Sequence, residues 1–330
     1  MSGDLDEFGE IARLFQPLTR GAPEALGLLD DAAAIPLGDG RTLVITTDTL
    51  VAGVHTPVDE EPGRLARKLL RVNLSDLAAK GAELLGWFLN VAWPEAYDAA
   101  ARAAFAAGLE TDTAAFDLKL FGGDTVRTAG PLTASATLLG VCPAGAFVAR
   151  AGARAGDVLL VSGTIGDAAL GLDVALGRMS EALSLEARAF LDDRYRLPQP
   201  RLNLRAALRR HASACADVSD GLLADAGSIA TASKSAVHVE LEAVPLSAAA
   251  LEWLATQANV LAALVRLATG GDDYELACAC APDRVAGFQA AAAEAGATLT
   301  VVGRFAEGAG VNVGFHGAPM IVEALGYRHR

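Results

Sequence analysis

The chain has 330 residues, enough for about two ordinary domains, and 52% of them are hydrophobic, so a large core is available and extended disorder is excluded. Acidic residues outnumber basic ones 40 to 27, for a net charge of −13, and the basic residues are scattered, which argues against a nucleic-acid partner. The longest strongly apolar run, 84–93, is too short to span a bilayer and contains Asn90, so no membrane association is expected.

The first eight residues, MSGDLDEF, are acidic and carry no apolar stretch, so they do not read as a signal peptide, and a cytoplasmic protein is expected. TLVITT at 42–47 predicts a strand. Residues 64–80 predict a helix, because Leu70, Leu74, Leu77 and Ala78 form one apolar face. A strand at 84–92, an alanine-rich helix at 95–116, and strands at 117–121 and 132–141 follow. Pro143, Gly145, Gly152 and Gly156 break the periodicity over 143–156, a candidate inter-domain connection. Beyond it come a strand at 157–161, a helix at 166–176, a strand ending at 216–218, and a helix at 219–232. A strand at 274–280, a helix at 284–295 and a strand at 298–302 complete the pattern of an α+β chain. Two stretches, Asn73-Leu-Ser-Asp76 and Asp217-Val-Ser-Asp220, echo one another and hint at a repeat. The four cysteines, Cys142, Cys215, Cys278 and Cys280, lie in apolar surroundings and read as reduced, buried thiols.

No Walker-type loop or protein-kinase signature is present. What stands out is a series of aspartates at predicted element ends: Asp30, Asp31, Asp48, Asp76, Asp124, Asp217, Asp220, Asp272 and Asp273. Taken singly, most read as caps or turn residues, and Gly122-Gly123-Asp124 reads as a turn. If they converge, their mutual repulsion requires either protonation or cations. An all-oxygen carboxylate set suits magnesium, manganese or calcium, and such ions serve phosphoryl transfer. The glycines at 122–123, 163–166 and 270–271 offer backbone N–H groups for phosphate.

Eleven motifs in order carry a resemblance over nearly the whole chain. They are LLDDAA from Leu28, TTDTLVAGVH from Thr46, VNLSDLAAKGA from Val72, GGDT from Gly122, ARAGARAGD ending at Asp157, SGTIGDAALGL from Ser162, PQPR from Pro198, DVSDGLLAD from Asp217, GGDDYEL from Gly270, VGR from Val302 and GYRH from Gly326. Through them the chain resembles the thiamine-monophosphate kinases, within the superfamily of aminoimidazole ribonucleotide synthetase. The resemblance implies a two-domain α+β fold: residues 1–148 form a sheet-and-helix domain that pairs with a second copy into a homodimeric barrel, and residues 149–330 a larger α+β domain. It implies ATP and Mg2+ as cofactors and thiamine monophosphate as substrate. It places Asp31, Thr46, Thr47, Asp48, Asp76, Asp124, Asp217 and Asp220 on magnesium; of these, Asp48, Asp76, Asp124 and Asp220 would be catalytic. Gly123, Asp124, Arg150 and Ser219 would contact ATP, and His55, Asp272 and Tyr327 the thiamine monophosphate. The chain departs from the family pattern at Leu29 (usually Gly), Thr56 (usually aromatic), Lys80 (usually apolar) and Asp272 (usually Glu).

Overall fold

The computed structural model describes residues 7–179 and 183–327. After a short helix, α1 (Glu7–Glu10), the first half contains strands β1 (Ala33–Pro36), β2 (Arg41–Val51), β3 (Glu83–Pro94), β4 (Leu120–Thr128) and β5 (Thr133–Pro143). They form one sheet in the order β1-β2-β5-β3-β4, in which only β3 and β4 run parallel. Helices α2 (Pro62–Ala79) and α3 (Ala99–Ala115) cover one face.

The second half supplies a seven-stranded sheet, β12-β11-β8-β10-β6-β9-β7, from β6 (Val158–Ser162), β7 (Ala212–Asp217), β8 (Ala236–Glu240), β9 (Leu276–Cys280), β10 (Leu299–Ala306), β11 (Gly310–Phe315) and β12 (Ala318–Met320). Its helices are α4 (Asp167–Ala175), α5 (Leu185–Arg196), α6 (Arg205–His211), α7 (Leu222–Ala232), α8 (Ala248–Leu254), α9 (Val260–Thr269) and α10 (Val285–Glu294). The α+β reading therefore holds. All four cysteines are free and buried, and Cys278 and Cys280 share one face of β9, as the strand period requires.

Helix α2 carries the argument. Pro62 opens it at a position that needs no N–H donor, and the Glu61 carboxylate accepts from the N–H groups of Gly63 and Arg64 at 2.8 Å. Leu65, Leu69, Leu70, Leu74 and Leu77 are fully buried, each contributing roughly 2 kcal/mol of apolar burial. That face packs on β2 and β5, while the C-terminal end reaches β7 of the other sheet. Asp112 on α3 pairs with the guanidinium of Arg71, whose Nη1 also donates to the Pro198 carbonyl at 3.0 Å. The helix is thus fixed in rotation, which decides where Asn73, Asp76 and Lys80 point.

Two expectations fail for identifiable reasons. Gly122-Gly123-Asp124 is no turn but the middle of β4, paired with Phe88, Leu89 and Asn90 of β3. Gly123 has φ 154°, and a Cβ there would stand 1.8 Å from the Leu89 carbonyl oxygen; the glycine permits close strand approach rather than reversal. At Gly122 the nearest atom would be a Phe88 ring carbon at 3.5 Å, an ordinary contact. Gly123→Ala is therefore expected to cost roughly 2–4 kcal/mol, and Gly122→Ala distinctly less, in chemical denaturation. Equal losses in the two variants would contradict this account. The Asn73–Asp76 and Asp217–Asp220 echo also dissolves: the first lies inside α2, and the second runs from the end of β7 into a turn.

Along β4, Leu120, Phe121 and Val126 are each about half exposed, with Phe88 beside them on β3. Such an apolar open edge suits pairing with another chain.

Candidate active site

Carboxylates from both halves meet where α2 passes between β2 and β7. Oxygens of Asp31, Asp76 and Asp217 lie within 4.8 Å of one another. Thr46 Oγ1 donates to Asp76 Oδ2 and lies 3.0 Å from the Asp31 carbonyl. Asp48 joins them: its N–H is held by Asn73 Oδ1 at 3.0 Å, and its charge acts on Asp76. The crowding of Asn73 and Asp76 into a leucine-rich helix now has a cause, since one turn of α2 presents both to β2.

Burial, reinforced by neighbouring negative charge, disfavours the ionised form of these acids. It raises Asp48, and it raises Asp76 far above the usual carboxylate range, with Asp48 and Asp217 adding to the effect. Asp217 is pushed up to about 6, burial being the main cause and the Asp48 charge a further one. Asp225, whose carboxylate accepts from the N–H groups of Asp220 and Gly221, is raised by burial and by the charges of Asp220 and Asp217. Buried, hard oxygen donors that repel until neutralised form a set that fits a divalent cation.

The cluster opens on a cavity of about 990 Å³. Asp48, His55, Arg150, Tyr195, Ser219, Asp220, Asp272, Tyr274 and Tyr327 are among the residues that line it. Three separate segments are laced together behind the wall. The N–H groups of Asp272 and Tyr274 donate to the carbonyls of Ser219 and Val218 at 2.8 Å, and that of Tyr327 to the Asp220 carbonyl at 2.9 Å. Asp272 adopts φ 72°, so its side chain faces the cavity while its neighbours turn inward. Asp273 accepts from the N–H groups of Gly166 and Ala168, and burial pushes it up to about 8. Glu275 takes Arg194, Arg201 and the Ser162 hydroxyl. His55 Nδ1 accepts from the Val51 N–H at 3.0 Å, which puts the ring proton of the neutral form on Nε2.

Asp124, Gly123 and Thr47 stand elsewhere. Asp124 pairs in register with Asn90, Asn90 with Ser135, and Ser135 with Thr49, so by strand alternation Asp124 shares the face opposite to Asp48. It lies three strand spacings from β2, about 14 Å. Thr47 bonds to Thr137 and the Ala136 carbonyl on that same outer face. The N–H groups expected to cradle phosphate at 163–166 are in part already engaged, because Asp273 takes that of Gly166. Those of Gly122 and Gly123 lie in a strand.

The chain is similar to proteins of one family over nearly its whole length. Family models for the AIR synthase related protein match at residues 29–142, for the N-terminal domain, and 154–316, for the C-terminal domain. A thiamine-monophosphate kinase of Caulobacter vibrioides is 52% identical over 98% of this chain and 90% of its own length. This chain belongs to the thiamine-monophosphate kinase family. A Salmonella typhimurium member of the family is 38% identical over 98% of both chains. The AaThiL structure complexed with AMPPCP and TMP superposes over all of both chains with a TM-score of 0.84 at 27% identity. The Stenotrophomonas maltophilia thiamine-monophosphate kinase does so over 93% of this chain and 98% of its own, with a TM-score of 0.76 at 37% identity.

Seen as a family member, the chain has further site residues that its sequence did not announce. Lys68 is 2% exposed, lies 3.0 Å from Asp272 Oδ2, and sits 3.9 Å over the Tyr195 ring. Lys80 is wholly buried against Asp30 and Asp31. The available signals were that two of only four lysines fall in the helix predicted at 64–80 and that Lys80 stands where the family pattern is apolar. Of GYRH, only Gly326 and Tyr327 fall within the described residues. Among the described residues no helix is long and apolar enough to cross a membrane.

Proposed function

We propose that this chain transfers the γ-phosphoryl group of ATP to the phosphate of thiamine monophosphate, giving thiamine diphosphate and ADP. The observation that carries this reading is the convergence of buried carboxylates from both halves of the chain at a cavity large enough for two phosphorylated ligands. The sequence likeness to thiamine-monophosphate kinases supports it, as does AaThiL, which holds TMP together with AMPPCP.

Arg150, Ser219 and Asp220 would receive the ATP phosphates, the guanidinium fork of Arg150 being suited to two acceptor oxygens. His55, Asp272 and Tyr327, which line the same cavity, would hold thiamine monophosphate. Asp48, Asp76 and Asp217, with Thr46, Asp31 and Asp220 beside them, would hold Mg2+, which when bound neutralises charge on the transferring phosphoryl oxygens. The acceptor is already an anionic phosphate oxygen, so the chain needs to align it rather than deprotonate it. As the new P–O bond forms, the bond to the ADP oxygen breaks. The cysteines are buried, and the Cys215 thiol is raised far up by burial, so no thiol serves as an intermediate phosphate carrier.

Asp124 faces away from the cluster and Gly123 lies three strand spacings from β2, so their contact with ATP would require a second copy of the chain laid along the apolar β4 edge. A homodimer accounts for both features. The domain boundary at 148/149 falls between the two matched segments, in the glycine-punctuated run.

The deciding assay incubates the purified chain with ATP, magnesium and thiamine monophosphate and follows thiamine diphosphate by chromatography. Formation of the diphosphate at the rate of ADP release is expected, with no label on the protein after rapid quench from γ-labelled ATP. ADP release without thiamine diphosphate would overturn the assignment.

A second expectation concerns pH. Asp217 has its folded pKa raised from 3.8 to about 6, so its contribution to stability is complete below about 3.8 and is lost as pH rises through about 6. Cations that bind the ionised form restore that loss. Magnesium is expected to raise the melting temperature more at pH 7.5 than at pH 5. A magnesium shift equal at both pH values, or larger at pH 5, would contradict the cation site.

A further inference from the structure

Lys80 closes α2 with no exposed surface. Its ammonium lies 2.7 Å from Asp30 Oδ1 and 2.6 Å from Asp31 Oδ2, and donates to the Cys215 carbonyl at 3.0 Å. The ammonium thus forms ion pairs with both carboxylates and a hydrogen bond to one carbonyl. Arg150 closes the other side: its guanidinium pairs with Asp31 Oδ1, and its N–H donates to Asp30 Oδ2 at 2.7 Å. Both carboxylates are thus paired with fixed cations of the chain, while Asp31 Oδ2, buried beside the ammonium, accepts no hydrogen bond.

The other carboxylates differ. Among the described residues, no lysine or arginine forms an ion pair with Asp48, Asp76 or Asp217, although Asp31 approaches the last two closely. The acidic centre is divided: two aspartates are neutralised by the protein itself, and three await charge from outside.

We propose that Lys80 is a built-in counter-ion that takes the place of one divalent cation beside Asp31, so that the set of Asp31, Asp48, Asp76 and Asp217 holds one exchangeable metal fewer than it would without the ammonium. An ammonium and a hydrated divalent ion compete for the same oxygens, and a tethered, buried ammonium has no entropy of association to lose. This rests on the metal-site reading above. Removing the charge alone leaves Asp30 and Asp31 with only Arg150, so an added cation should enter.

The test counts Mn2+ bound to the full chain without nucleotide, from the electron paramagnetic resonance of free Mn2+. Lys80→Met is expected to bind one more Mn2+ per chain than wild type, and its melting temperature should rise more on Mn2+ addition. Lys80→Arg, which keeps the charge, should bind the wild-type number. The double variant Asp30→Asn with Lys80→Met should return to that number, because one charge of each sign is gone. If metal-free Lys80→Met does not fold, the same count is made on protein purified in Mn2+, by metal analysis after gel filtration. An unchanged or lower count in Lys80→Met overturns the proposal while leaving the metal site intact. A wild-type chain that binds no Mn2+ overturns the metal-site reading itself, and the proposal with it.

Discussion

Asp76→Asn is expected to melt higher than wild type in the absence of divalent metal and to turn over at least ~10³-fold more slowly with it. Both effects have one origin. Asp76 is buried beside Asp48 and Asp217, and its carboxyl is raised far above its ordinary range by burial first and by those two charges second. A raised folded pKa means that the folded chain resists ionisation, so at neutral pH the residue opposes folding. Asparagine keeps the shape and can still accept the Thr46 hydroxyl, but removes that opposition. The same neutrality removes a charge that binds the cation, and with it the stabilisation of the transferring phosphoryl group. Calorimetry in chelator and a steady-state assay in saturating magnesium read the two signs separately. Asp124→Asn is the control: on the opposite face of the sheet, it should leave the metal-free melting temperature unchanged. A variant at 76 that melts lower and remains active would remove Asp76 from the centre of the site.

The division between what the sequence discloses and what it hides follows from the range of each interaction. The periodicity of 64–80 is a local property, and α2 forms close to those limits. The aspartates were legible as a set because so many stand at predicted element ends, some of them beside glycine. Their convergence was not legible, since Asp76 and Asp217 are joined only when α2 packs on β7. Gly-Gly before Asp124 signals a turn by composition, yet the need it answers is a neighbour strand's carbonyl, which no local reading contains. The alternation that sends Thr47 outward follows from the strand period alone. In GGDDYEL, by contrast, no period applies. Asp272 reaches the cavity because of a left-handed backbone, while Asp273 and Glu275 anchor the loop through partners roughly 75–110 residues away. The two buried lysines were hidden for the same reason: their partners lie on β2-side loops and on the far half of the chain.

Lys68→Met is expected to raise the KM for thiamine monophosphate about 10–100-fold, with little change in the KM for ATP. One ammonium serves three groups of the acceptor end. It pairs with Asp272, lies over the ring of Tyr195, and stands 3.4 Å from the His55 carbonyl. Lys68 does not line the cavity, so it acts through these groups as a positioning residue. Without it, Asp272 loses the contact that fixes a short side chain on a left-handed backbone, and Tyr195 loses the cation that packs against its face. Both losses fall on substrate alignment, a cost of roughly 1–3 kcal/mol. If positioning is the role, Asp272→Asn and Lys68→Met must not add: the double variant should resemble the worse single one, because each removes the same ion pair. Fully additive effects would place Lys68 in direct contact with substrate instead, and equal changes in both KM values would make it a structural residue of α2 alone.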